Sequence, residues 1–155
     1  MNPFSRTQFV LGSDAMEKLK SARVAVFGLG GVGGYVAEAL ARSGIGQLDL
    51  IDSDTVSVSN INRQILATQS TVDMAKVDAG KNRVLDINPD CQVRTWEVFY
   101  TPETAGQFDF TRYDYVVDAI DTEQQLVTLF FPVGLFERLH YLMGIEETLM
   151  NLLEE

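Results

Sequence analysis

The chain has 155 residues, one domain's length by the usual prior and short of two. With 46% hydrophobic and 22% charged residues, 12 Gly and only 4 Pro, its composition excludes a disordered, collagen-like or low-complexity protein. Twenty-two acidic residues against 12 basic ones leave a net charge of −10, which excludes polyanion binding by bulk charge and leaves room only for a local basic site.

The single cysteine, Cys91, excludes an internal disulfide and a cysteine-rich zinc site, and its place near the start of a predicted strand suits a structural residue. The opening MNPFSRTQF lacks an apolar core segment, so no secretory signal is read there. No apolar run approaches membrane-spanning length; the densest, Leu129–Phe136, is broken by Pro132 and Gly134. The expectation is a soluble, cytoplasmic protein without membrane insertion.

Taken in chain order, residues 1–22 read as a polar opening segment with one short helix, marked by Met16, Leu19 and Ala22 at helical spacing. Arg23–Phe27 (RVAVF) is a strand that runs directly into Gly28–Gly34 (GLGGVGG). Val36, Ala37, Leu40 and Ala41 then form one helical stripe, and Gly44 supplies its stop. Gln47–Ile51 is a second strand and leads into Asp52, Ser53 and Asp54. Thr55–Thr71 is polar and aperiodic, a long loop or broken helix of the kind that often carries function. A helix over Asp73–Ile87 stops at Asn88-Pro89. A third strand over Gln92–Tyr100, a short helix over Pro102–Phe108 and a fourth strand over Tyr115–Ile120 follow, the last ending at Asp121. This alternation predicts an α/β, Rossmann-like, doubly wound and mainly parallel sheet.

Beyond Thr122 the character changes. Glu123–Glu155 holds six acidic residues and one basic residue. Leu135, Phe136, Leu139, Leu142 and Met143 mark an amphipathic helix, and Leu149, Met150, Leu152 and Leu153 a second. The division expected is a nucleotide-binding unit over residues 1–122 and a helical, acidic tail over 123–155, with the sheet cut short after its fourth strand. His140, the one histidine, has no Cys or Asp partner nearby in sequence and suits a packing or surface role.

The chemistry concentrates after the first two strands. Gly28, Gly30 and Gly33 satisfy G-x-G-x-x-G between a strand and a helix, where glycine permits the turn, the approach of a phosphate and close helix packing. The alternative is a glycine-rich turn without a ligand. Asp52 stands 19 residues after Gly33, where a carboxylate takes the ribose hydroxyls of an adenosine, whether of NAD, FAD or ATP. Asp54 suits either a second ligand or a loop cap. Ser59, Asn60, Asn62 and Arg63 follow, and Lys76 lies near the start of the next helix. A dinucleotide rarely needs this Arg–Lys pair, whereas a triphosphate needs cations at its outer phosphates. The structural alternative is a solvated surface pair. Asp121, at the carboxyl edge of the sheet, is placed to hold magnesium.

GLGGVG, ALARSGIG, LIDSDTVSVSNINRQ, AKVDA and VVDAIDT together resemble the ubiquitin-activating-enzyme-like (ThiF/MoeB-type) adenylyltransferases, over about Phe4 to Thr122. NINRQI and DINPDC are most similar to the tRNA threonylcarbamoyladenosine dehydratases within that superfamily. The resemblance implies ATP and magnesium as cofactors, with Gly31 and its neighbours at the α-phosphate and Asp52 at the ribose. Ser59 to Arg63 would wrap the nucleotide, Lys76 would stabilise the departing pyrophosphate, and Asp121 would bind magnesium beside Thr122. Arg6 matches an arginine that a partner subunit contributes, which implies a homodimer. The implied reaction is adenylation of a carboxylate, most closely the dehydration of the threonylcarbamoyl group on tRNA. A small ubiquitin-like or sulfur-carrier protein is the alternative substrate. No match to the family is seen after Thr122, where its substrate half would follow. Two further classes remain open: an NAD oxidoreductase, motivated by the glycine loop and ribose carboxylate, and a non-catalytic nucleotide-binding half-domain that associates through its tail.

Overall fold

The computed structural model describes residues 2–120, and in it each of the four predicted strands forms. The strands are β1 (Arg23–Phe27), β2 (Gln47–Ile51), β3 (Gln92–Trp96) and β4 (Tyr115–Asp118). All pairings are parallel, in the order β3-β2-β1-β4. The helices are α1 (Ser5–Leu11), α2 (Ser13–Ser21), α3 (Gly33–Ser43), α4 (Lys76–Ile87) and α5 (Pro102–Ala105).

The pleat of β1 explains the two layers. Val24 and Val26 point to one face and, with Leu48 and Leu50, meet Ala37 and Ala41 of α3 and Val77, Ala79 and Val84 of α4. Ala25 and Phe27 point to the other face and join Ile51, Tyr100, Phe108, Tyr113 and Val116. Phe27 meets Tyr100 edge-on at 4.9 Å and Phe108 at 5.2 Å between ring centroids. The first two crossovers thus cover one face, and the connection from β3 to β4 covers the other, as a doubly wound sheet requires. Strand order reverses about β1, and such a switch point opens a crevice at the carboxyl ends of the strands. The Asp49 carboxylate is buried in the aromatic layer together with Arg23.

Several boundaries differ from those read in the sequence. The opening segment holds two helices, not one, parted by Gly12, and neither buries a residue. Helix α1 carries Phe9, Val10 and Leu11 on the exterior, so no core-facing stripe announced it. Ala22 has left α2 and is extended. The third helix begins at Lys76, not Asp73: Asp73 takes φ 66°, and Thr55 bridges Ala75 before the helix starts. The polar stretch after β2 is a loop with a short 3-10 turn at Val58–Asn60. β3 ends at Trp96, where its partner β2 ends at Ile51, and β4 ends at Asp118, opposite the last residue of β1. Pairing stopped these strands while apolar sequence continued. Helix α5 ends at Ala105, before Gly106 and short of Phe108. The tail helices and His140 lie outside the described residues. Among the described residues no helix is long and apolar enough to cross a membrane.

Candidate functional site

A cleft of about 230 Å³ opens where the switch point places it. It is lined by Gly28 and Gly30 after β1, Ile51 to Asp54 after β2, Asn60, Arg63 and Gln64 of the polar loop, Lys76 of α4, Val98 to Tyr100 after β3, and Ala119 and Ile120 after β4.

Two glycines set the shape of the loop. Gly28 takes φ 85°, and a Cβ there would lie 2.5 Å from the carbonyl oxygen of Ala119. A Cβ at Gly33 would lie 1.8 Å from the carbonyl oxygen of Gly28, so α3 begins against the turn that precedes it. At Gly31 the nearest atom to such a Cβ is the Arg63 carbonyl oxygen at 3.8 Å, an ordinary contact, and neither Gly31 nor Gly33 is among the lining residues.

Asp52 ties this loop to β2. Its Oδ2 accepts the Leu29 N–H at 2.6 Å and its Oδ1 accepts the Asp54 N–H at 2.8 Å. Each oxygen keeps a second lone pair for a ligand hydroxyl. Lys76 donates from Nζ to Asp54 Oδ2 at 2.7 Å and stands 3.9 Å from Asp52 Oδ2. The lysine is buried, so the surface-pair alternative fails for it. Arg63 is exposed, and its Nη1 donates to the Ser59 carbonyl and to Asn62 Oδ1, both at 3.0 Å. Ser59 and Asn62 thus hold Arg63 and do not line the cleft themselves. Asn60 lines it while its Oδ1 accepts the Ser57 N–H. Arg6 sits exposed on α1 and is not among the lining residues. Asp121 and Thr122 lie outside the described residues.

Sequence reasoning missed three residues. Gln64 is buried yet lines the cleft; it lies in the NINRQ run already singled out. Tyr100 is among the lining residues, and burial, reinforced by Asp118, pushes its hydroxyl up to about 12. No sequence signal marked it. Asp118 has its Oδ1 bonded to the Ile120 N–H, which fixes the turn that lines the cleft. Alternation along β4 puts it on the face of Val116, and that pattern was legible. Among the described residues neither the Tyr100 hydroxyl nor Asp118 Oδ2 has a partner. Cys91 is in the core, and burial pushes its thiol up to about 11, away from reactivity.

Burial pushes the Asp118 carboxyl up to about 6, against a smaller lowering by the Ile120 N–H. Its folded value thus lies above its unfolded one, so the ionised acid destabilises the fold at neutral pH. That penalty fades as pH falls through 6 and is gone below the unfolded value. In urea unfolding, Asp118→Asn should gain on the parent by roughly 2 kcal/mol between about pH 4 and pH 8. A constant difference between the two proteins across that range would refute the assignment.

The comparisons with known proteins agree with this geometry. The model of the ThiF family matches residues 4–128. The tRNA threonylcarbamoyladenosine dehydratase of Bacillus subtilis is 50% identical over 122 residues, which are 79% of this chain and 48% of that protein. The Haemophilus influenzae molybdopterin-synthase adenylyltransferase is 36% identical over 108 residues, 70% of this chain and 44% of that protein. The crystal structure of the Escherichia coli tRNA N6-threonylcarbamoyladenosine dehydratase in complex with ATP aligns with TM-score 0.80 at 42% identity, over 82% of this chain and 52% of that one. The same enzyme is also solved with AMP. The chain spans about half the length of the curated relatives it matches.

Proposed function

The chain belongs to the ThiF family, and from that premise we propose that it binds ATP in the cleft and serves the adenylation of a carboxylate, that of the threonylcarbamoyl group on tRNA. The observation that carries this reading is Lys76. A lysine buried against Asp54 and Asp52 at the rim of a glycine loop has no use in a surface role, and a phosphate chain supplies the use. A hydride-transfer reading has no such support among the described lining residues.

The glycine loop and the start of α3 would receive the α-phosphate, and Asp52 the ribose. The substrate carboxylate attacks the α-phosphorus, the bond to pyrophosphate breaks, and an acyl-adenylate forms. Arg63 and Lys76 would neutralise charge on the outer phosphates as pyrophosphate departs, so the protein acts by positioning and electrostatics. In the dehydratase reading, the activated carbonyl is captured within the same modification, and a cyclic product forms with net loss of water.

Magnesium is the metal this chemistry implies. Among the described residues no three His, Cys, Asp or Glu gather to hold a metal ion. Asp52 already serves two backbone N–H groups, and Asp54 serves Lys76. That donor set fits a magnesium held mainly by phosphate oxygens, water and one carboxylate, for which Asp121 is our assignment, with Thr122 beside it. When bound, the metal would neutralise negative charge on the phosphates.

The assembly proposed is a homodimer in which Arg6 reaches a partner's cleft. The outward Phe9, Val10 and Leu11 beside it support an interface on α1. Residues 1–122 form the nucleotide half in this reading.

The test is ATP–pyrophosphate exchange on the purified chain, alone, with tRNA carrying threonylcarbamoyladenosine, and with a sulfur-carrier protein. Exchange stimulated by the modified tRNA alone is expected. Stimulation by the carrier protein instead would move the reading to that branch. ATP binding without any exchange would make the chain a nucleotide-binding half-domain.

A further inference from the structure

We propose that the Asp54 carboxylate stands in for phosphate: it pairs with Lys76 in the nucleotide-free cleft and is displaced by an incoming polyphosphate, so that it sets the affinity of the cleft for phosphate chains. This inference rests on the nucleotide reading of the same cleft and adds a role to one of its residues.

The two cations of the cleft are committed differently. Arg63 donates to a carbonyl and an amide oxygen, both neutral, and keeps its full charge for an anion. Lys76 has a carboxylate at 2.7 Å and a second at 3.9 Å. Among the described lining residues two carboxylates and two cations cancel, so a polyanion gains at this rim when one carboxylate turns away.

Asp54 is the one able to leave. The Lys76 side chain is 7% exposed and fixed in place, whereas that of Asp54 is 63% exposed and free to turn into water. An ion pair with so exposed a partner is weak, and a multiply charged phosphate outcompetes it. Asp52 cannot yield in the same way, since both its oxygens hold backbone N–H groups. Rotation of the Asp54 side chain leaves the scaffold intact, because backbone bonds hold it: the Lys76 N–H donates to the Asp54 carbonyl at 2.9 Å, and the Val56 N–H donates to the Met74 carbonyl at 2.8 Å. Lys76 is thereby kept in place for a phosphate before one arrives, at the cost of a competitor.

The test titrates pyrophosphate, ATP and adenosine into the full chain and into Asp54→Asn, without added divalent metal, with thermal melting to confirm folding. Asp54→Ser is the second variant should the first melt early. Expected is binding of pyrophosphate and ATP tighter by about 3- to 10-fold in the variant, as the loss of one partly exposed competing charge implies, with adenosine unchanged. Unchanged or weaker pyrophosphate binding in both variants overturns the exchange. The pyrophosphate arm decides this by itself. Failure of the parent chain to bind ATP or adenosine, while pyrophosphate binds, overturns the nucleotide reading and leaves the exchange standing.

Discussion

Replacing Asp49 by alanine is expected to destabilise the fold by about 3–5 kcal/mol, a large part of the roughly 5–15 kcal/mol that holds a typical domain together. Asp49 is 1% exposed in the aromatic layer. Its carboxylate accepts from Arg23 Nε at 3.1 Å and Nη2 at 2.7 Å, from Trp96 Nε1 at 3.1 Å and from the Tyr113 hydroxyl at 2.9 Å. The Arg23 guanidinium also lies over the Tyr113 ring, 4.7 Å from its centroid. Alanine leaves the buried guanidinium without its counter-charge and strands two more donors. Removing both charges together, in Arg23→Met with Asp49→Leu, should cost less, because neither member of the ion pair is then left without the other. Urea unfolding of the three proteins measures this. A single-variant loss below about 1 kcal/mol, the size of an ordinary surface pair, would show that the network does not hold the layer.

Lys76→Ala is expected to weaken ATP binding by about 10- to 100-fold, the worth of one charge-assisted hydrogen bond to phosphate. The variant also leaves Asp52 and Asp54 facing the phosphates with no cation between them. Arg63→Ala should lose less, since Arg63 is exposed and solvent screens its pull on a phosphate. Calorimetric titration of the parent and the two variants with magnesium and ATP reads all three affinities. Equal values throughout would defeat the phosphate roles of both residues, and with them the adenylation mechanism proposed above.

Much of this site could be read from one dimension because it is made of short-range signals. The glycine loop lies between a strand and a helix, and Asp52 lies at the end of the next strand; spacing alone connects them. The family resemblance was carried by several such motifs, and the family match over residues 4–128 agrees with it. The residues that were missed depend on contacts far apart in the chain. Tyr100 comes to line the cleft only when the segment after β3 folds over Phe27. Asp118 is held opposite Phe27 by the pairing of β4 with β1, and its burial follows from what packs over that face. Strand ends followed the same logic, since β3 and β4 stop where their partners stop.

The sequence by itself determined the parallel α/β architecture, the position of the glycine loop and the identity of the cations beyond the second strand. Those features depend on periodicity and on residue chemistry within a few positions. The tertiary structure alone decided how the cations are held: Lys76 is buried and paired with Asp54, while Arg63 is exposed on neutral partners. It also decided that Asp49 and Arg23 form a buried pair rather than two surface charges. Burial and pairing are properties of neighbours in space, and only the folded chain brings those neighbours together.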